Sequence, residues 1–192
     1  LTRRRFIKNA TFSAAGTLGI TGYGFANALE LPGVRRHTMN LPTLPTEWDG
    51  LRILQISDVH AGPYMGVERM SRIQELAARL SPDMIIFTGD QMDRRESDAE
   101  LFAEGFAGVS APLGAWGILG NHDHFIDPKR SEWALEAAGI KPLINNAVTF
   151  KRSGSSLALI GVEDLQARNG RTADFSVIEK YPTSFRICLC HQ

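Results

Sequence analysis

The chain lacks an excess of charge of either sign. Lys plus Arg and Asp plus Glu both number 21 in 192 residues. No basic stripe with interleaved aromatics occurs, so no nucleic-acid-binding surface is expected. Cysteine is almost absent, with only Cys188 and Cys190, so there is no disulfide framework. Both are expected as small apolar residues in a buried strand, not bonded to each other. No apolar run is long enough for a membrane span, and no internal repeat stands out. What remains is an ordinary globular composition, 43% hydrophobic and 22% charged, long enough for one domain with a core.

The N-terminus is read separately. Thr2-Arg3-Arg4-Arg5-Phe6-Ile7-Lys8 opens it, an Ala/Gly/Thr-rich weakly apolar stretch follows, and Ala26-Asn27-Ala28 is spaced as a cleavage site. That order is an export signal. The Thr-Arg-Arg wording resembles the twin-arginine pattern, which names the twin-arginine export machinery as a partner and the periplasm or cell envelope as the destination. Residues 1–28 are therefore assigned to the signal. Residues 29–50, with Pro32, Pro42 and Pro45, are a linker with one edge strand near Val34–Met39. Residues 51–192 form the domain.

Within the domain, apolar runs at 51–57, 84–88 and 115–119 predict buried strands. Between them, Met70, Ile73, Ala77 and Leu80 share one face of a helix over 67–80. Leu101, Phe102, Phe106 and Val109 mark a second helix, after an Asp93–Glu100 charge run expected in solvent. Strand, helix, strand, helix, strand predicts a parallel sheet with right-handed crossovers. Downstream come a short helix over 132–138, a hairpin from 147–151 and 156–162, a helix within 173–181, and a strand over 185–190. Trp48, Trp116 and Trp133 are expected to pack rather than bind.

Chemistry-bearing residues stand where the predicted strands run out: Asp58, His60, Asp90, Asn121, His122, Asp123 and His191. Asp58 and His60, two apart on an extended backbone, would project to one side. Open α/β sheets place ligands at that edge. Each residue alone has a bland reading: Asp90 a turn or cap, Asn121 a left-handed residue, His191 a satisfied histidine. Recurrence at successive strand ends favours one site. Its carboxylate, imidazole and carboxamide ligands, with no thiolate, favour Mn, Fe or Zn.

Asp58-Val59-His60, Gly89-Asp90, Gly120-Asn121-His122-Asp123 and the lone His191 together resemble the calcineurin-like metallophosphoesterases, over Leu51 to the end of the chain. With the export signal, the wording around Asp58 is similar to bacterial exported phosphoesterases. The resemblance implies a four-layer α/β/β/α sandwich and two divalent metal ions (Mn, Fe or Zn). Asp58 and His60 would hold the first ion, Asn121 and His191 the second, and Asp90 would bridge them. The two ions would activate a water for attack on phosphorus. His122 would act as general acid, with Asp123 orienting it and keeping it cationic. His124, Arg94 and Arg95 could meet substrate near the metals, with solvent the expected neighbour of both arginines, and Gly161–Asp164 form either a substrate-side loop or a plain turn. The family's further Gly-His-x-His block would lie beyond Gln192, so the domain is expected to be C-terminally incomplete. The implied activity is hydrolysis of a phosphoester substrate, preferably a phosphodiester or pyrophosphate, with envelope lipids, wall polymers and nucleotides as candidates. The alternatives are a phosphomonoesterase and an inactive metal-binding domain.

Overall fold

A computed structural model describes residues 32–168 and 170–191. The chain divides after Val34, and the fold described here belongs to the unit Arg35–Gln192. The predicted export signal lies outside the described residues. The predicted edge strand at 34–39 does not form. Val34 and Met39 are exposed, and neither finds a sheet to cover it.

Strands β1 (Ile53–Ile56), β2 (Met84–Thr88), β3 (Ala115–Ile118) and β4 (Lys141–Pro142) make one sheet in the order β1-β2-β3-β4. All its pairings are parallel, with Ile53 beside Met84 and Ile85 beside Ala115. Helix α1 (Val67–Leu80) links β1 to β2, and α2 (Asp98–Gly105) links β2 to β3. After β3 come α3 (Asn121–Ile126) and α4 (Pro128–Ala138). A second sheet holds β5 (Asn146–Arg152), β6 (Ser155–Gly161) and β7 (Phe185–Leu189) in that order, and α5 (Val177–Lys180) precedes β7. The β5–β6 hairpin turns through Ser153 and Gly154, both at positive φ, the conformation that suits a two-residue hairpin turn.

Alternation along the strands builds the layers, because successive side chains point to opposite faces. Ile85, Phe87 and Ala115 pack with Met70, Phe102, Phe106 and Leu135 of the helices. Met84, Ile86, Trp116 and Ile118 meet Leu159 and Leu189 of the second sheet. Ala158 and Ile160, on the other side of β6, cover Val177 of α5. The result is helix, sheet, sheet, helix: the four-layer α/β/β/α order. Phe87 meets Phe102 and Phe106 edge-on at 5.7 and 5.1 Å. Such pairs contribute roughly 0.5–1.5 kcal/mol each beyond their burial.

Five local expectations are corrected. Asp98 is buried, not solvated, because its Oδ2 accepts the Arg94 and Arg95 backbone N–H groups at 3.0 and 2.8 Å and starts α2. Helix α4 begins at Pro128, a turn before 132, since proline suits a first helical position and the Asp127 carboxylate caps the Lys129 N–H. Helix α5 is only four residues, because the Asp174 carboxylate takes the Ser176 N–H and hydroxyl, a local bond that competes with helix. Cys188 and Cys190 are exposed free thiols: of the residues around them in β7, the alternate ones Ile187 and Leu189 join the inter-sheet core. Trp133 is likewise half outside, beneath the Arg130 guanidinium at 4.4 Å. Among the described residues, no helix is long and apolar enough to cross a membrane.

Candidate metal centre

The loops leaving β1 and β2 run side by side. The Asp58 N–H donates to Gly89 O at 3.2 Å, His60 N–H to Asp90 O at 3.0 Å, and Ala61 N–H to Gln91 O at 2.8 Å. This backbone ladder sets Asp58 and His60 beside Asp90. The backbone is not extended there, as the sequence reading assumed. Asp58, His60 and Asp90 have φ of 55, 47 and 54°, left-handed values. A non-glycine residue held so costs of order 1–3 kcal/mol and persists where the surroundings over-determine it.

The site closes from two further directions. Asn121 and His122 open α3 directly after β3, and His191 follows β7 from the other sheet. His60 Nε2 lies 3.5 Å from Asp90 Oδ2 and 4.0 Å from Asp58 Oδ1. His191 Nε2 lies 3.5 Å from Asp90 Oδ1 and 3.3 Å from Asn121 Oδ1. All five predicted ligands thus converge. Two ligand triads emerge, His60–Asp90–His122 and Asp58–Asp90–His191, each with one ligand atom per residue within 4.8 Å of the others. Asp90 belongs to both. The pairs expected from the sequence also stand close, Asp58 to His60 at 4.0 Å and Asn121 to His191 at 3.3 Å.

The donors fit divalent cations. The set is hard oxygen plus imidazole, which suits Mn, Fe or Zn. The His191 ring donates from Nδ1 to Thr88 O at 2.7 Å, leaving the Nε2 lone pair toward Asp90 and Asn121. Metal-ligating histidines are oriented by such a bond. His60 Nδ1 is buried without a hydrogen bond, 3.9 Å from Asp93 Oδ1. Gly89 and Gly120 form a close cradle. A Cβ on Gly89 would lie 2.5 Å from His191 Nδ1, and one on Gly120 would lie 2.3 Å from Asp90 Oδ1.

His122 is held differently from the expectation. Its Nδ1 lies 2.9 Å from Asp93 O. A carbonyl only accepts, so Nδ1 carries the proton and Nε2 is the nitrogen left for chemistry. Its backbone N–H donates to Asp90 Oδ1 at 2.9 Å, and its ring stands edge-on to His60 at 4.6 Å.

Asp123 does not orient His122, which corrects that assignment. Its buried carboxylate accepts from the Gly120 N–H at 2.9 Å, the Gln91 N–H at 3.1 Å, the Met92 N–H at 3.2 Å and the Ser131 hydroxyl at 3.0 Å. Standing three residues into the turn from Gly120, it reaches back to cap α3 and pins the loop after Asp90. Burial pushes its carboxyl up to about 6, against those four donors. The orienting group that sequence reasoning missed is Asp93, through its carbonyl. Every residue has a carbonyl, so only proximity reveals it.

The stretch after β6 is more than a plain turn. His124 donates from Nε2 to Glu163 Oε1 at 2.7 Å, with both side chains fully buried. Burial works against the Glu163 carboxylate, but His124 and Arg171 outweigh it and hold it below its ordinary range. Arg171 in turn pairs with Glu132 of α4. Segment 163–171 is thereby fastened to the helix that carries Asn121 and His122. Arg94 and Arg95 stay outside the cluster, with Arg94 reaching only the Asp93 carboxylate at 3.5 Å.

Known proteins are similar to this sequence. A family model described as calcineurin-like phosphoesterase matches residues 51–181. The metallophosphoesterase YkuE of Bacillus subtilis is 32% identical over 178 residues, covering 88% of this chain and 62% of that protein. A transmembrane protein with metallophosphoesterase domain from Danio rerio is 33% identical over 150 residues, covering 76% of this chain and 34% of that one. The UDP-2,3-diacylglucosamine pyrophosphatase LpxG of Chlamydia muridarum is 37% identical over 103 residues, covering 52% of this chain and 31% of that protein. The chain spans less than two thirds of the length of each. With more than half of its length matched by the family model, the chain belongs to the calcineurin-like phosphoesterase family.

Proposed function

We propose that the chain is the catalytic part of a two-metal hydrolase of phosphodiester or pyrophosphate bonds. The observation that carries this is Asp90, a buried carboxylate common to both ligand triads. One carboxylate shared between two cations offsets their mutual repulsion. Asp58, His60, Asn121 and His191 would complete the shell contributed by this chain. Divalent ions held there supply Lewis acidity toward phosphoryl oxygens and lower the pKa of a water.

The chain's own residues do the rest. Thr88 O fixes the His191 tautomer, and Asp93 O fixes that of His122. In its protonated form His122 carries a second proton on Nε2, which it gives to the departing oxygen as the ester bond breaks. The LpxG relative, by its name, acts on a diacylated glucosamine linked through pyrophosphate. That supports a pyrophosphate or other envelope-lipid substrate here. Export by the twin-arginine route belongs to the same reading, carried by Thr2–Lys8 and Ala26-Asn27-Ala28 alone.

His122→Ala is the test. Turnover of a bis-aryl phosphodiester in Mn²⁺ should fall about 10²–10⁴-fold, the usual contribution of a positioned acid. The loss should deepen as the leaving group becomes a poorer one, while bound metal stays the same. Loss of metal from this variant, or equal losses across leaving groups, would show that His122 is a ligand and not the acid.

A further inference from the structure

Helix α3 carries more than Asn121 and His122. One turn after Asn121, Phe125 leaves a large part of its ring exposed, 44% of the residue, with the ring centre 6.0 Å from that of His122. Over that ring stands the Arg168 guanidinium, its Cζ 4.3 Å from the centre. Arg168 is exposed, and among the described residues no carboxylate pairs with it. Arg171, three residues on, is fully engaged with Glu132 and Glu163.

The position of Arg168 is built. The buried His124–Glu163 bond and the Arg171 pairs hold segment 163–171 on α3 and α4. A guanidinium over an aromatic ring is held without spending its N–H groups on a carboxylate, and its N–H edge fits two phosphoryl oxygens at once. Its positive charge is linked to the residue assigned to protonate the leaving oxygen through the Phe125 ring, which lies 4.3 Å from Arg168 Cζ and 6.0 Å from the His122 ring centre. A leaving group that takes its proton from His122 and carries a second phosphoryl group can extend over Phe125 to Arg168.

We infer that Arg168, seated on Phe125, binds a second phosphoryl group carried by the leaving group, making the site selective for pyrophosphate-linked substrates. The inference rests on the hydrolase reading above and narrows its substrate class. In the reaction, water oxygen joins one phosphorus and the bridging P–O bond breaks. The His122 Nε2 proton goes to the bridging oxygen, which leaves as part of a phosphomonoester. Negative charge builds on the bridging oxygen as its bond to phosphorus breaks and before the proton has fully arrived, and a preorganised guanidinium stabilises that developing charge more than it does the bound substrate.

The experiment compares two substrates in Mn²⁺: a bis-aryl phosphodiester and a dinucleoside pyrophosphate. Both are measured with the wild-type protein, Arg168→Gln and Arg168→Lys. The ratio of kcat/KM for pyrophosphate to that for phosphodiester should fall about tenfold or more in Arg168→Gln, the scale of one charged hydrogen bond. Arg168→Lys should restore part of it, because the charge returns without the fork. An unchanged ratio with both substrates turned over would overturn the inference and leave the hydrolase reading standing. So would a wild-type protein that cleaves the phosphodiester and spares the pyrophosphate. If neither substrate is cleaved, the hydrolase reading itself fails and takes this inference with it.

Discussion

Asp90→Asn should abolish phosphodiester hydrolysis while leaving the fold in place. Asparagine is nearly isosteric and tolerates the left-handed φ of 54° better than most residues. Its carbonyl oxygen can still accept the His122 backbone N–H, now at 2.9 Å from Asp90 Oδ1. What it lacks is the negative charge shared by the two triads. Removing a group that merely orients a metal ligand costs about 10–100-fold, so removing the shared ligand should exceed about a hundredfold. The check is turnover of a bis-aryl phosphodiester beside a thermal melt. Activity within tenfold of wild type at an unchanged melt would mean that Asp90 bridges nothing.

Gly89→Ala should damage stability and the site together. Gly89 has φ of 100°, which L side chains rarely adopt. The added Cβ would meet His191 Nδ1 at 2.5 Å, His191 Cγ at 2.7 Å and Gly120 Cα at 2.9 Å. Two of those atoms belong to the ring bonded to Thr88 O, and the third is backbone at the mouth of α3. Relief must come from moving His191 off its bond or parting the β2 and β3 loops. Backbone strain and overpacking each cost about 1–3 kcal/mol, so a loss of about 2–4 kcal/mol is expected. Chemical unfolding with and without Mn²⁺ measures it. The stabilisation that Mn²⁺ gives should shrink too, because the cradle holds a ligand. A variant as stable as wild type in both conditions would show that this close packing is not needed.

The sequence made the scaffold legible because its signals there are strong. The run 84–87 is apolar throughout, and 84–88 became a strand buried on both faces. Met70, Ile73 and Ala77 recur at helical spacing and became the buried face of α1. Asp58, His60, Asp90, Asn121 and His191 were each placed by a strand end, and the structure brings together strand ends from both sheets to gather them. What stayed hidden depends on backbone groups and competing partners. Asp93 acts through a carbonyl that any residue has. Asp123 looked like the partner of the adjacent His122, yet four nearer donors claim its carboxylate. Helix α3 is six residues long and mostly polar, with no apolar face to betray it. Asp98 sat in a charge run that read as solvated, because charge counting does not see the two N–H groups it satisfies. The stretch from Glu163 to Arg171 carries no periodicity at all, and long-range side-chain contacts, His124 with Glu163 and Arg171 with Glu132, tie it to the site.

The central claim is that one buried carboxylate joins two metal positions. Calorimetric titration of chelator-stripped protein with Mn²⁺ tests it most directly, run on wild type and Asp90→Asn side by side. Two ions per chain are expected in wild type, and at most one, bound more weakly, in Asp90→Asn. A single ion in wild type, or two ions held with undiminished affinity in the variant, would contradict the shared-carboxylate centre.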